Sequence, residues 1–428
     1  MSMSKRAIEL IKTIIIVMLT ISGMFLAWRT GLFNDVLIAF PMLRDVAGMM
    51  RPTGGVTDYG GFTPEEAARP LSIVITNEEG ERFGIRYDTD MRNTVFERAS
   101  GIVGEALGSA AMPVEITKEQ WRDALSRANV YFEYILPVRL SILDGWFGLR
   151  KPETVDDIVI RRIFVSFDEN RNRLYYQDYY TGKYFSADTA STATKAQELE
   201  TLSSNGAVFA FETNVVGSDN APYMILMPGS HHPDVRRTLV HSQEEMFEVA
   251  LSAFGHSHEV YPPFLSGDTL VCVGSQFSIW VHPDGRVIYR WTSDLPNEDD
   301  ARVLSDGEMI EHARIIVANS ISLTSGDAYV QFEAFIYDEG MYMIFFGYYV
   351  AGGRVHLHDD RHAARVSFSS GVIVESELNF RNFTLTGEEV RLLPEKQVLA
   401  ASGGEFMLSY SDTGSEVLHP SWVRVGSW

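Results

Sequence analysis

The sequence predicts an α+β fold: an N-terminal transmembrane helix followed by a multi-domain ectodomain of antiparallel sheets with packed helices. Three observations lead there. A charge-free apolar run, Thr13 to Trp28, stands near the start. About 400 residues follow it, more than one core comfortably serves, so two or three domains are expected. Within them, short alternating or aromatic-rich strand patterns separated by polar turns are interspersed with stretches of helical periodicity. Strands joined by tight turns pair antiparallel, and helices then pack on one sheet face.

The first element is "IKTIIIVMLTISGMFLAW", Ile11 to Trp28. Its charge-free part spans roughly 24 Å as a helix, against a hydrocarbon core of about 30 Å. The mostly apolar turn from Ala7 to Ile11 supplies the rest, with Lys12 snorkelling along its methylene stem. A cleaved leader ends in a small-x-small site, and Phe25 stands where a small residue is wanted before Ala27. The segment is therefore read as a retained anchor. Lys5, Arg6 and Lys12 precede it and Arg29 alone follows closely, which puts the N-terminus in the cytoplasm and the bulk outside. Thr13, Ile16, Thr20, Gly23 and Ala27 recur at spacings of three and four and share one helix face. All but Ile16 are small, and small residues allow the close backbone approach that drives helix association in lipid. That face is the candidate partner-binding site; the alternative is the ordinary scatter of small residues in any anchor.

Residues 1–30 are thus tail and anchor. Residues 31–69 are rich in Gly and Pro and read as a linker with at most a short helix around Val36–Met50. An N-terminal α+β domain, 70–155, opens with the hairpin "LSIVI"–"NEEG"–"ERFGIRY". A helix of about Asp90 to Leu107 follows, then a second announced by Thr117 and Gln120, a capping-box pair. "VYFEYILPVRLSIL" reads as strand, break at Pro137, strand. A middle, mostly-β domain, 156–295, holds "DIVIRRIFVSF", "RLYYQDYYTGKYFSA", "GAVFAFETN" and "YMILMP", a helix around Gln243–Ala253, and "FSIWVHP" joined to "RVIYRW" by the hairpin signal Asp284-Gly285. The C-terminal domain, 296–428, begins with a helix from Asp306 to Asn319. Strand candidates follow near 328–337, 341–350, 353–358 and 363–383, then a short helix in "LLPEKQVLAAS" and a closing hairpin.

Composition excludes some partners. The net charge is −21 with no basic run, so a nucleic acid, which needs a basic patch, is not expected. The hydrophobic fraction of 45% and aromatic fraction of 12% suit folded domains rather than disorder. A single cysteine, Cys272, allows no intrachain disulfide, which for a large ectodomain points to a bacterial surface with little oxidative folding.

The anchor, the "VYFEYILPVRLSILDGWF" segment, the "FSIWVHPDGRVIYRW" hairpin and the C-terminal helix-plus-meander, in that order, resemble the YycH family. "YMIFFGYYVAGGRVHLHDDRHAARVSFSSGVIVESEL" and the closing "LHPSWVRV" resemble the related YycI domain. The resemblance implies a single-pass membrane protein of a Gram-positive bacterium. It implies modulation of the WalK/WalR (YycG/YycF) two-component system that controls cell-wall metabolism. It also implies contact with the sensor histidine kinase and a YycI-like sister protein, partly through transmembrane helices, and no catalytic residues.

"HLHDDRH" offers His356, His358, Asp359, Asp360 and His362, donor types that bind zinc. Its spacing has one residue too many for H-x-H-x-D-H, and Asp359-Asp360 reads as a turn, so a polar hairpin end is the expectation and no metal is assigned. His231-His232 and His256/His258 are further loop histidines. Cys272, in "TLVCVGS", reads as a buried strand residue rather than a nucleophile. Glu244-Glu245 and Glu388-Glu389 read as solvated helix or turn faces. "MYMIFFGYYV", Met341 to Val350, is large on both alternating sets, as a strand buried on both faces would be; an exposed partner patch is the alternative. The function expected is therefore a membrane-anchored extracytoplasmic regulator that works by protein contacts, without cofactor or small-molecule substrate. The alternative is a membrane-anchored cell-wall hydrolase or metalloenzyme.

Overall fold

The structure, a computed structural model, describes residues 62–149, 158–167, 171–191, Leu199, 202–238, 242–257, 260–295 and 304–425. The expected anchor, its face of Thr13, Ile16, Thr20, Gly23 and Ala27, and most of the linker lie outside the described residues. Among the described residues, no helix is long and apolar enough to cross a membrane.

The chain enters through α1 (Pro64–Ala67), capped by reciprocal bonds between Thr63 and Glu66. β1 (Ser72–Thr76) and β2 (Arg82–Ile85) form the expected hairpin. α2 (Thr89–Gly108) starts where the Asp88 side chain accepts from the Met91 amide. After β3 (Val114–Ile116), α3 (Lys118–Leu125) begins at the capping box legible in the sequence, Thr117 with Gln120. β4 (Asn129–Arg139) runs through Pro137, which has no N–H to donate; its pairing with the next strand is irregular between Glu133 and Val138. The expected second strand is instead α4 (Leu140–Trp146), whose Leu140, Ile142, Leu143 and Trp146 are buried. β5 (Val159–Ser166), β6 (Arg173–Asp178) and β7 (Tyr184–Asp188) continue the same sheet. Its order is β2-β1-β4-β5-β6-β7-β3, antiparallel throughout.

"GAVFAFETN" and "YMILMP" shrink to a two-stranded ribbon, β8 (Val208–Phe209) and β9 (Ile225–Leu226). β10 (His231–Thr238) follows, then α5 (Gln243–Ala253), β11 (Phe264–Ser266), β12 (Thr269–Val273), β13 (Phe277–Val281) and β14 (Arg286–Trp291). α6 (Asp306–Ala318) leads into β15 (Tyr329–Asp338), β16 (Met341–Val350) and β17 (Gly353–His356). The single strand expected over 363–383 is two, β18 (Ala364–Ser369) and β19 (Val372–Asn379), reversed by Ser370 and Gly371 at positive φ. β20 (Asn382–Arg391), α7 (Glu395–Ser402), β21 (Phe406–Ser411), β22 (Val417–Leu418) and β23 (Pro420–Arg424) complete the described chain.

β11–β14 join the C-terminal strands in an eleven-stranded sheet, β11-β12-β13-β14-β19-β18-β16-β17-β21-β23, with β15 on the other edge of β16. All of its pairs are antiparallel except β17 with β21. β10 lies between β20 and β22 in a third, small sheet. The described residues thus have the expected α+β class. One apolar core runs through both large sheets, from Ile73, Val103, Phe132 and Val165 to Ile279, Val317, Ile344 and Val366. A second cluster surrounds the buried Trp121 with Phe164, Tyr223 and Phe209, on the side of the first sheet nearer the β8–β9 ribbon.

Candidate functional site

Sequence reasoning missed the most charged feature of the interior. Glu133 on β4 is 2% exposed and sits among three arginines. Arg162 reaches it at 3.0 Å, Arg86 at 3.3 Å and Arg161 at 3.8 Å. Arg161 and Arg162 also both hydrogen-bond Glu405, just ahead of β21. Neighbours in a regular strand point to opposite faces. Here the pairing of β5 with β6 is irregular between Ile160 and Ile163, and a bulge there lets both guanidinium groups turn to one carboxylate. Arg86 continues the network, donating to Ser72 Oγ at 2.7 Å and lying 3.7 Å from Glu395, the first residue of α7. The Tyr87 hydroxyl and the Met227 amide both donate to Glu395. The network therefore ties β1, β2, β4 and β5 to α7 and β21.

Its electrostatics follow from burial opposed by partners. Burial alone would push Glu405 up, but the Arg162 and Arg161 guanidinium groups hold it at about 2. Burial also disfavours the Arg162 cation, and Glu405, Tyr131 and Glu133 more than compensate, so its pKa rises. Glu395 is pushed up by burial, which Arg86 and the bonds from Tyr87 and Met227 offset only in part. These carboxylates are engaged by arginines, a phenol and an amide, and the gap between Glu133, Arg161 and Glu405 is about 10 Å³. That leaves scarcely the volume of one water molecule. A shallower hollow of about 310 Å³ beside Tyr87 is walled by Met91, Asn205, Met227 and Pro228; the carboxylate on its wall, Asp88, already caps α2.

A second buried carboxylate, Glu333 on β15, accepts from Tyr349 Oη at 2.8 Å, Arg354 Nη2 at 2.7 Å and pairs with His362 Nδ1 at 2.9 Å. Burial raises its pKa, and the His362 and Arg354 bonds outweigh that, so it stays below the ordinary value. It occupies space that a side chain at Gly347 would fill: a Cβ there would lie 2.1 Å from Glu333 Oε1.

The "HLHDDRH" stretch is spread out rather than gathered. His356 closes β17, and His358–Asp360 form a short turn in which Asp359 and Asp360 take positive φ. His362 turns inward to Glu333. Among the described residues, no group of three His, Cys, Asp or Glu side chains is placed to hold a metal ion. His256 stacks on Phe277 at 3.9 Å, and His232 is buried on β10; His258 lies outside the described residues. Cys272 is a buried strand residue, as its apolar flanks predict. Glu245 belongs to the capping box of α5, whereas Glu388-Glu389 are strand rather than turn residues, exposed on β20. In "MYMIFFGYYV", Phe346 and Tyr348 are 0% exposed and Tyr342 is half-buried, because β15 pairs with one edge of β16 and β17 and β18 with the other. That strand is interior, and no partner patch is exposed along its C-terminal half.

The network's members could have been suspected from one signal: Glu133 and Arg161-Arg162 stand inside otherwise apolar strand runs, where a charge must find a partner. Their partners, Glu395 and Glu405, carry no such mark.

No family model matches the chain, and no curated protein matches it. Among solved structures, the crystal structure of YycH from Bacillus subtilis is similar, with a TM-score of 0.57 over 85% of this chain and 94% of that chain, at 12% sequence identity. The arrangement of sheets and helices described here is a YycH-like fold.

Proposed function

We propose that this chain is a membrane-anchored extracytoplasmic regulator that modulates a sensor histidine kinase of a cell-wall-controlling two-component system by protein-protein contacts. The observation that carries the reading is the YycH-like fold, which extends over 85% of the chain rather than over one module of it. The apolar run from Thr13 to Trp28 supports attachment as a single-pass helix, with the N-terminus inside and the bulk outside. Its partners are a WalK/YycG-like kinase and a YycI-like sister protein, met in the membrane through the face of Thr13, Ile16, Thr20, Gly23 and Ala27. A bound regulator shifts the kinase between signalling states only by its differential affinity for them, so affinity for each state, not turnover, is the quantity that matters. The domain division at residues 70, 156 and 296 belongs to the same reading.

Crosslinking in intact membranes, with captured neighbours identified by mass spectrometry, tests it. Recovery of a histidine kinase supports the proposal. Recovery of the mature chain from culture fluid, beginning beyond Trp28, overturns it.

A further inference from the structure

His232 is an unusual interior residue. It is 3% exposed, and both ring nitrogens are buried without a hydrogen-bond partner among the described residues. Its imidazole meets Tyr87 at 4.7 Å and Trp422 at 5.2 Å, each nearly perpendicular to it. These contacts come from three places: His232 from β10, Tyr87 from the segment after β2, and Trp422 from β23. His232 therefore stands where the small three-stranded sheet meets the first sheet and the last strand. A neutral ring tolerates this position, with aromatic faces as weak company for its N–H. An imidazolium does not, because it presents two N–H donors and a charge that need acceptors or water.

Among the described residues, the surrounding charges do not supply them. On the Tyr87 side, Glu395 of α7 is already bound to the Tyr87 hydroxyl, the Met227 amide and Arg86. On β10 itself, Asp234 pairs with His419 at 2.9 Å, and His231 adds repulsion. On β20, His232 faces Val390, with Arg391 and Glu389 opposite the flanking His231 and Pro233. On β23, the Trp422 indole N–H is committed to the Leu393 carbonyl at 2.9 Å.

We propose that His232 is a proton-operated latch: neutral, it closes the seam between β10, Tyr87 and Trp422, and protonation opens that seam by drawing the imidazole into water. The latch needs no particular partner. Burial places its titration at about 4, well under the ordinary 6.5, so the closed state excludes the proton that the open state accepts. Seam opening should then approach a tenfold increase per pH unit between roughly pH 6 and pH 4.5.

The test uses the full chain in detergent micelles, with its 11 histidines labelled at 13Cε1. The resonance that disappears in His232→Gln should titrate far below the ordinary histidine range. Hydrogen exchange of peptides from β10 and β23, corrected for intrinsic rates, should quicken about tenfold per pH unit, while β1 and β4 peptides in the same molecule hold steady. His232→Phe, which keeps a ring in the cage, should abolish that dependence. A His232 titration at or above about 6.5, or β10 and β23 peptides no more pH-dependent than β1 and β4, overturns the latch. The wild-type comparison decides even if neither variant folds.

Discussion

Arg162 on β5 bonds to Glu405 ahead of β21 across 243 positions of sequence. Arg161, its neighbour, bonds to the same carboxylate. Two adjacent side chains thereby close on one residue from the far end of the chain, and the two large sheets are held in one relative placement. Apolar burial supplies most of the stabilisation, and it is non-directional. The ion cluster supplies direction, since buried charges are tolerated only in the arrangement that pairs them.

Glu405→Gln keeps the shape and removes the charge. Among the described residues, Arg161 and Arg162 would retain Glu133 as their one carboxylate, at 3.8 Å and 3.0 Å, with Arg161 Nε still donating to the Tyr134 carbonyl at 3.3 Å. Breaking a buried pair from one side costs about 3 kcal/mol. Urea denaturation of the variant should show a loss of that size; a loss under about 1 kcal/mol would mean that water already screens the pair.

Acid should act through the same residue. Glu405 is held at about 2 against an ordinary value of 4.5, so its contribution is complete above the unfolded pKa and is lost as pH falls from there toward about 2. The displacement is worth about 3 kcal/mol. Denaturation midpoints measured down this range should fall for the wild type and stay flatter for Glu405→Gln. Parallel curves would assign the acid loss elsewhere.

Gly347→Ala should destabilise by about 2 kcal/mol, because the new methyl would lie 2.1 Å from a carboxylate oxygen of Glu333. Glu333 cannot swing aside without leaving Tyr349, Arg354 and His362. Gly101 in α2 is the control: among the described residues, nothing beyond its chain neighbours and its own helix backbone lies within 4 Å of its added Cβ, so Gly101→Ala should gain up to about 1 kcal/mol from helix propensity. Equal effects at the two sites would refute the packing argument.

Zinc and chelator should leave the melting temperature where it is. His362 is committed to Glu333 and no metal-holding group of three forms among the described residues, whereas a ligand at a hundredfold its Kd would add about 2.7 kcal/mol. A clear upward shift with zinc would restore the metalloenzyme alternative.

Gly23→Leu should reduce co-purification of the kinase and the sister protein severalfold while expression is unchanged, since a large side chain separates helix backbones that small residues bring together. Undiminished recovery would remove this face from the binding site.

The sequence by itself determined what is local. Thr117 with Gln120 starts α3, Asp284-Gly285 turns β13 into β14, and the apolar flanks of Cys272 bury it, because caps, turns and strand periodicity act over a few residues. Reading failed where local signals were ambiguous: "LSIL" after Pro137 could extend or coil, and packing beside β4 chose the helix α4. The tertiary structure alone decided that β10 lies between β20 and β22, that β14 pairs with β19, and that Arg161-Arg162 meet Glu405. Those choices depend on which distant apolar faces bury one another and in what register, and neither is encoded in the spacing of residues along the chain.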